Sequence, residues 1–405
     1  MTLSTFEELK ELIIQTLGIQ DPGRIAGAST PLFGSMPELD SLAVVNLAAA
    51  LETRFGFQID DSGFSADVFD TVGSLAEYVD RHRHREAAES AGESSEEACE
   101  LDAESPSAAA VVIVTFNSAS VLPSLLDSLP SGLRDIERFE VIVVDNDSRD
   151  GSAELAETHS LRPRVLRMGR NAGYAAAINA AAATVHAASN ILILNPDLQL
   201  CPGAVAPLVE CAAMPSVGIA VPRNYRKDGT IDPTQRREPS VLTAWAEAIL
   251  GGRLAARLGW GEIISQPNRY ERLGPVQWAT GSALLVSARA RRAVGRWDES
   301  FFLYSEEVDY QRRVREAGFD IVYEPRSEVV HAGGECGTDP RLFALMTANR
   351  IRYYQRHHGV FPTSFFRLGI AFGEAVRSWR GSSMHRAALR SALMPLGPAS
   401  DTVAR

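Results

Sequence analysis

The sequence predicts a multidomain chain: a small all-α four-helix bundle, then a larger α/β domain on a doubly wound sheet, then a helical C-terminal extension. Three observations predict it. Apolar residues at helical spacing fill the first 84 positions, and short β-branched runs alternating with helical stretches begin near residue 109. Between them lies a stretch of Glu, Ala and Ser with almost nothing large and apolar. The expected boundaries are residues 1–84, a linker over 85–106, the α/β domain over 107–340 and the extension over 341–405. At 405 residues, 45% apolar and 22% charged, the chain is an ordinary globular one with room for two or three domains.

The front module rests on two helical stripes, Phe6, Leu9, Ile13 and Leu17, then Val44, Leu47, Leu51 and Phe55. Pro31, Gly34 and Pro37 punctuate the connection, and Val68, Phe69, Val72, Leu75, Tyr78 and Val79 predict shorter helices that close the bundle. Asp40 is placed as the N-cap of the second long helix, which puts Ser41 in its first turn with the hydroxyl outside the core stripe. A phosphodiester on that oxygen would sit at the positive end of the helix dipole. By itself an Asp-Ser pair at a helix start is most often a cap. The segment from Met36 to Asp61, with Asp40-Ser41-Leu42 at its head, resembles the acyl and peptidyl carrier proteins over roughly residues 4–84. The resemblance implies that Ser41 carries a 4′-phosphopantetheine arm holding an acyl or aminoacyl thioester. It also implies a phosphopantetheinyl transferase and an acyl- or aminoacyl-loading enzyme as partners, with Leu42, Val45 and Ala49 as the docking face. Glu38-Leu39 stands where a glycine often precedes the Asp-Ser pair of the family.

The linker cannot bury enough surface to offset its ordering entropy. As a flexible coil of about 22 residues it would span on the order of 25 Å. At that range the effective concentration is of order mM, so the front module could serve the larger domain in cis; a helical linker would restrict the reach. Charge follows the same division. Residues 1–106 hold 6 Lys/Arg against 21 Asp/Glu, a net of −15, leaving 34 against 30, or +4, for the rest.

Cys99, Cys201, Cys211 and Cys336 show no paired spacing, so neither a zinc site nor a disulfide framework is expected. With no basic-then-apolar leader and no apolar run near the roughly 20 residues that span a bilayer, the expectation is a cytoplasmic protein. Peripheral membrane contact would fall to the tail, where residues 341–405 contain 10 Arg and 2 Asp/Glu. Aromatic residues interleave with those arginines, a pattern suited to a helical cap over the α/β domain, a dimer surface or a lipid-facing edge. The acidic whole argues against nucleic acid, and the oligomeric state is not legible.

The strands of the α/β domain are expected at Val111–Phe116, Val141–Val144 and Ile191–Leu194. Ligands of such sheets gather at the carboxyl ends of the strands, where Asn117, Asp145-Asn146-Asp147 and Asn195-Pro196-Asp197 lie. A Gly-x-Gly-x-x-Gly loop does not follow the first strand, which argues against a nicotinamide fold, and no Walker-type loop occurs. Asp147 and Asp150 read as turn-formers or caps. Asp197, after a buried strand, presents a carboxylate suited to Mg²⁺ or Mn²⁺, which one or two carboxylates plus ligand phosphates can hold.

In their order, Thr115-Phe116-Asn117, Val143 to Ser148, Asn171 to Asn179, Asn195-Pro196-Asp197, Thr280-Gly281-Ser282 and Phe301 to Asp309 resemble family 2 glycosyltransferases of the GT-A fold, rhamnosyltransferase-like branch. The resemblance covers about residues 109–335. It implies that Asn117, Asp145, Asn171 and Gly173 bind a nucleoside-diphosphate sugar, that Asp197 binds the metal, and that His331 lies near the diphosphate as a second ligand. It assigns Glu307 as the base that deprotonates the acceptor hydroxyl, with Asp309 the second choice and Glu306, Trp278 and Gly281 on the acceptor side. Arg313 would add positive charge for the leaving diphosphate. Inverting transfer of one sugar follows, with dTDP-rhamnose the first-choice donor and an acyl or aminoacyl group on the Ser41 arm the first-choice acceptor. A secondary-metabolite or glycolipid pathway is implied. The alternatives are a free or lipid-linked acceptor in envelope polysaccharide assembly, with the carrier module as a docking element, and a non-enzymatic sensor of nucleotide sugars.

Overall fold

Leu9 and Ile13 lie one turn apart on α1 (Thr5–Leu17), and both are fully buried. With Leu47, Leu51, Phe55, Val72, Leu75, Tyr78 and Val79 they form the core expected from their spacing, and Ile19 and Ile25 join it. Thr71 and Ser74 exchange backbone-to-hydroxyl hydrogen bonds, each 3.0 Å, which start the helix at residue 72. The computed structural model describes residues 108–331, 339–379 and 381–396, and in the front part 5–17, 19, 21–25, 27, 30, 31, 47, 50, 51, 54, 55, 71–76, 78 and 79. Ser41 and its neighbours Leu42, Val45 and Ala49 lie outside the described residues, as do the linker over 85–106 and two of the four cysteines, Cys99 and Cys336. The chain divides into two units, Met1–Ala103 and Glu104–Arg405.

In the second unit the β-branched runs become β1 (Ala108–Thr115), β2 (Arg138–Asp145), β3 (Arg164–Arg167) and β4 (Asn190–Leu194), all parallel. They continue into β5 (Leu198–Leu200), β6 (Val217–Tyr225), β7 (Gln235–Arg236), β8 (Gly274–Pro275), β9 (Trp278–Ala279), β10 (Ala283–Val286) and β11 (Asp320–His331). Nine of these make one mixed sheet in the order β3-β2-β1-β4-β10-β6-β11-β5, with β8 beside β11, while β7 and β9 form a separate ribbon. The antiparallel β10, between β4 and β6, turns the loop before it toward the carboxyl end of β4.

The alternation of side chains along the strands separates two cores. Val111, Ile113, Val141, Val143, Leu192 and Leu194 face α2 (Leu122–Gly132) and α5 (Val205–Ala213), with the short α3 (Ser152–Thr158) beside them. Val112, Val114, Ile142, Val144, Ile191 and Ile193 face the other layer. That layer contains α4 (Tyr174–Ala182), then, beyond α6 (Val241–Leu250) and α7 (Gly252–Arg257), α8 (Ala288–Val294) and α9 (Glu306–Glu316).

The C-terminal extension is helical, as expected: α10 (Pro340–His357), α11 (Val360–Ser378) and α12 (Ser383–Leu393). It packs into the second unit. Ile351, Tyr354, Phe366 and Ile370 close around Ala244 of α6, and Tyr353 joins Trp278, Phe301 and Val308 in a small cluster beside α9.

Candidate active site

The carboxyl end of β2 holds Asp145, almost fully buried. Its Oδ1 accepts from the Thr115 hydroxyl at 3.1 Å and its Oδ2 from the Ser148 N–H at 3.0 Å. Asn117, just past β1, sits in the left-handed region at φ 53°, and its side-chain oxygen accepts from the Arg149 N–H at 2.8 Å. The two loops are thereby tied together. Asp147 (φ 66°) is a turn residue, and Asp150 accepts from the N–H groups of Ala119 and Ser152, as expected of turn-formers and caps.

Asn146, buried beside Asp145, donates to the Gly173 carbonyl at 3.1 Å and accepts from the Ala172 N–H at 3.4 Å, fixing the Asn171–Gly173 loop. Asn171 accepts from the Gly173 N–H at 3.2 Å. Gly173 has φ 91°, and a Cβ there would collide with the Phe302 backbone, so glycine is required on both counts. The Tyr174 N–H then donates to the Phe302 carbonyl at 2.7 Å. At the other end of the motif Asn179 ties down Trp297 and Glu299.

Asn195 replaces the first acid of an Asp-x-Asp motif, and its side-chain oxygen accepts from the Tyr174 hydroxyl at 3.0 Å. Asp197 is followed by β5, whose antiparallel register sets Leu198 opposite His331. That register brings Asp197 Oδ1 within 3.3 Å of His331 Nε2. Among the described residues no group of three or more His, Cys, Asp or Glu forms a ready metal cage. A carboxylate and an imidazole at a strand edge suit a hard or borderline cation whose remaining ligands are phosphate oxygens and water. The residues present therefore fit Mg²⁺ or Mn²⁺.

The loop before α9 is strained. Phe302, Tyr304 and Ser305 all have positive φ, at 64°, 69° and 74°, an arrangement that surrounding contacts must enforce. It delivers Glu306 and Glu307 to the first turn of α9. Burial raises the pKa of both carboxyls, and the nearby Glu307 raises Glu306 further. Glu306 Oε2 is buried without a hydrogen-bond partner. The Tyr174 hydroxyl lies within electrostatic reach of Glu306, Glu307 and Asp197; burial first, then these three carboxylates, push its pKa well above normal.

Asp309 faces elsewhere. Its Oδ2 accepts from Arg313 Nε at 2.8 Å and its Oδ1 lies 3.3 Å from His357 Nε2. Burial opposes its ionisation, but His357, Arg313 and Arg356 outweigh that and hold its pKa low. Arg313 is correspondingly committed. It also donates to the carbonyls of Val294 and Arg296 and stacks on Tyr310.

Of the residues expected on the acceptor side, Gly281 lies against the Glu307 stem. A Cβ at Gly281 would lie 3.3 Å from Glu307 Cβ and 3.4 Å from Cγ. Trp278 is nearly buried, donates its indole N–H to the Arg237 carbonyl at 2.8 Å and offers little surface to an acceptor. Gln311, fully buried on α9, bonds to both the N–H and the carbonyl of Ala279 and so locks β9 beside Glu307. Arg236 on β7 lies near Glu307 and opposes the rise of its pKa. Tyr174, Arg236 and Gln311 are given no role by the sequence reading. Tyr174 falls within a motif quoted above; the other two carry no local signal.

A family model for glycosyl transferase family 2 matches residues 110–271, and one for the phosphopantetheine attachment site matches residues 7–79. The N-acetylglucosaminyl-diphospho-decaprenol L-rhamnosyltransferase of Mycobacterium tuberculosis is 32% identical over 263 residues, 62% of this chain and 85% of that protein. The low-salt glycan biosynthesis hexosyltransferase Agl10 of Haloferax volcanii is 26% identical over 52% of this chain and 62% of its own length. Among solved structures, GalNAc-T7 with UDP, GalNAc and Mn²⁺ overlays at TM-score 0.49 and 15% identity, over 73% of this chain and 52% of that one. With the motifs in order along the sheet edge, the chain belongs to the family 2 glycosyltransferases and bears a phosphopantetheine-attachment domain ahead of its catalytic part.

Proposed function

We propose that the enzyme transfers one sugar, with inversion, from a nucleoside-diphosphate donor to a hydroxyl of an acyl or aminoacyl group on the Ser41 arm. The single observation that carries the catalytic half is that the buried Tyr174 hydroxyl, bonded to Asn195 two residues before Asp197, lies within electrostatic reach of Asp197, Glu306 and Glu307. Asn117, Asp145, Asn171 and Gly173 line the nucleoside end. Their rigid hydrogen bonding keeps that end of the pocket preorganised.

Asp197 and His331 would hold a divalent cation, which would supply positive charge to the departing diphosphate. Glu307 accepts the proton of the acceptor hydroxyl as oxygen attacks the anomeric carbon. Its raised pKa makes it a stronger base than an exposed glutamate. Asp309, engaged by Arg313 and His357, orients the α9 turn. The front module over 1–84 presents the acceptor through the linker over 85–106, after priming by a phosphopantetheinyl transferase and charging by a loading enzyme. The rhamnosyltransferase relative supports rhamnose as the sugar, and dTDP-rhamnose is the first-choice donor.

A second reading, favoured by that relative's lipid-diphosphate acceptor, assigns a polyprenyl-linked saccharide and leaves the carrier domain to recruit partners. The deciding experiment primes the full chain with coenzyme A, loads a hydroxyacyl group, adds dTDP-rhamnose and Mn²⁺, and weighs the intact protein. A sugar mass on wild type and none on Ser41→Ala supports the first reading. Transfer to a polyprenyl diphosphate sugar at equal rates in both supports the second.

A further inference from the structure

The outward face of α11 is apolar along its length except for Ser364. Phe361, Phe365, Leu368, Phe372, Val376 and Trp379 recur at intervals of three or four, and all are exposed, Phe361 by 81% and Trp379 by 93%. They form one stripe about 27 Å long. The helix's three charged side chains point away from it. Glu374 is buried against Arg377 and His385, and Arg367 donates to the carbonyls of Ala392 and Met394. Such a helix inverts the usual pattern, in which the charged face meets solvent.

The stripe does not stand alone. Gly369 and Gly373 let α11 approach α6 closely, since a Cβ on either would fall about 3 Å from Trp245 or Ala248. Trp245 stacks on Phe372 at 5.8 Å and donates to the Phe365 carbonyl at 3.1 Å. Leu242 and Ile249, three before and four after Trp245, extend the surface across α6, and Leu254, Leu258 and Trp260 follow on and after α7. Exposed apolar patches of this extent mark an interaction site.

The charges bordering it have one sign. Arg253 and Arg257 on α7 and Arg386 and Arg390 on α12 are exposed, whereas the acids of α6 and α11 are turned inward, Glu247 to Arg350 and Glu374 to Arg377. A second copy docked face to face would bring arginine to arginine. An anionic bilayer surface complements both features, with the aromatic and aliphatic side chains at the headgroup boundary and arginines on the phosphates. We infer that the α6–α7–α11 face docks the enzyme peripherally on an anionic lipid surface. This goes beyond the proposed reaction and holds for either acceptor.

Flotation of the full-length protein tests it, with vesicles of phosphatidylcholine alone and of phosphatidylcholine mixed with phosphatidylglycerol. Binding is expected only to the mixed vesicles and to weaken with salt. Arg253→Glu/Arg257→Glu should reduce it by about fivefold or more per arginine. Phe361→Ser/Trp379→Ser should reduce it on the order of tenfold, with thermal unfolding and donor hydrolysis unchanged because both side chains are already exposed. No binding to mixed vesicles overturns the inference. So does a dimer in sedimentation velocity that Phe361→Ser/Trp379→Ser dissociates, for the face would then be covered by a second copy.

Discussion

Asn349, fully buried on α10, donates its side-chain amide to the Leu303 carbonyl at 2.7 Å. The same amide reaches the carbonyls of Phe301 at 2.6 Å and Tyr304 at 3.2 Å. One side chain from the C-terminal helices thus clamps the loop whose three left-handed residues deliver Glu306 and Glu307.

Asn349→Ala should therefore release the strained loop. Loss of a buried multi-acceptor amide costs about 1–3 kcal/mol of stability. Because Glu307 would lose its position, kcat should fall by about 10-fold to 100-fold with donor affinity little changed. A positioning role shows in that split of kcat against donor Kd, measured by steady-state kinetics and calorimetry; an equal loss in both would point to general unfolding.

Glu307→Gln keeps the volume of the base but not its proton affinity. Transfer should drop by about 10²-fold to 10⁴-fold. Since burial raises the Glu307 pKa above its ordinary 4.5 and the base must be ionised, kcat/KM of wild type should be lost as pH falls, through a midpoint above that value. A pH–rate profile with a midpoint at or below 4.5 would rule Glu307 out.

Glu306 is predicted to cost stability as pH rises. A carboxyl whose folded pKa is raised contributes its full stability below about 4.5 and loses it as pH climbs through the folded value. Glu306→Gln, which cannot ionise, should gain up to about 1.4 kcal/mol per pH unit over that window. Urea unfolding at a series of pH values measures it, and a pH-independent difference from wild type would contradict the argument.

Gly281→Ala tests the contact under the base. The new methyl would press on Glu307 at 3.3 Å, tighter than ordinary packing, so the carboxylate must shift. We expect kcat to fall by about tenfold or more while the melting temperature changes little, a pair of outcomes readable from kinetics and calorimetry on one preparation.

Asp197→Asn should raise the metal concentration needed for half-maximal donor binding by about tenfold or more, and His331→Ala should act in the same direction. Calorimetric titration of donor with and without Mn²⁺ gives a readout independent of turnover. Donor binding indifferent to Mn²⁺ in wild type would remove the metal assignment.

Much of this was legible along the chain because periodicity and strand ends are local. Alternation in Val111–Val114 and Val141–Val144 marks strands buried on both faces, so Asp145 and Asp197 had to emerge at the sheet's carboxyl edge. The spacing of Leu9, Ile13, Leu47, Leu51 and Phe55 specified the front core in the same way. Tertiary structure alone decided what those positions meet. The β5–β11 register joins Asp197 to His331, 134 residues on. The Asp309–Arg313 pair joins two groups one turn apart on α9, and Asn349 and Gln311 hold the loop before α9 and its neighbouring strand. Contacts between residues far apart in sequence depend on how helices and strands pack, and packing is a property of the whole folded chain. The same reason separates the two faces of α11. Its sequence is amphipathic, but only its docking on α6 through Gly369 and Gly373 decides that the charged side chains turn inward and the aromatic stripe faces out.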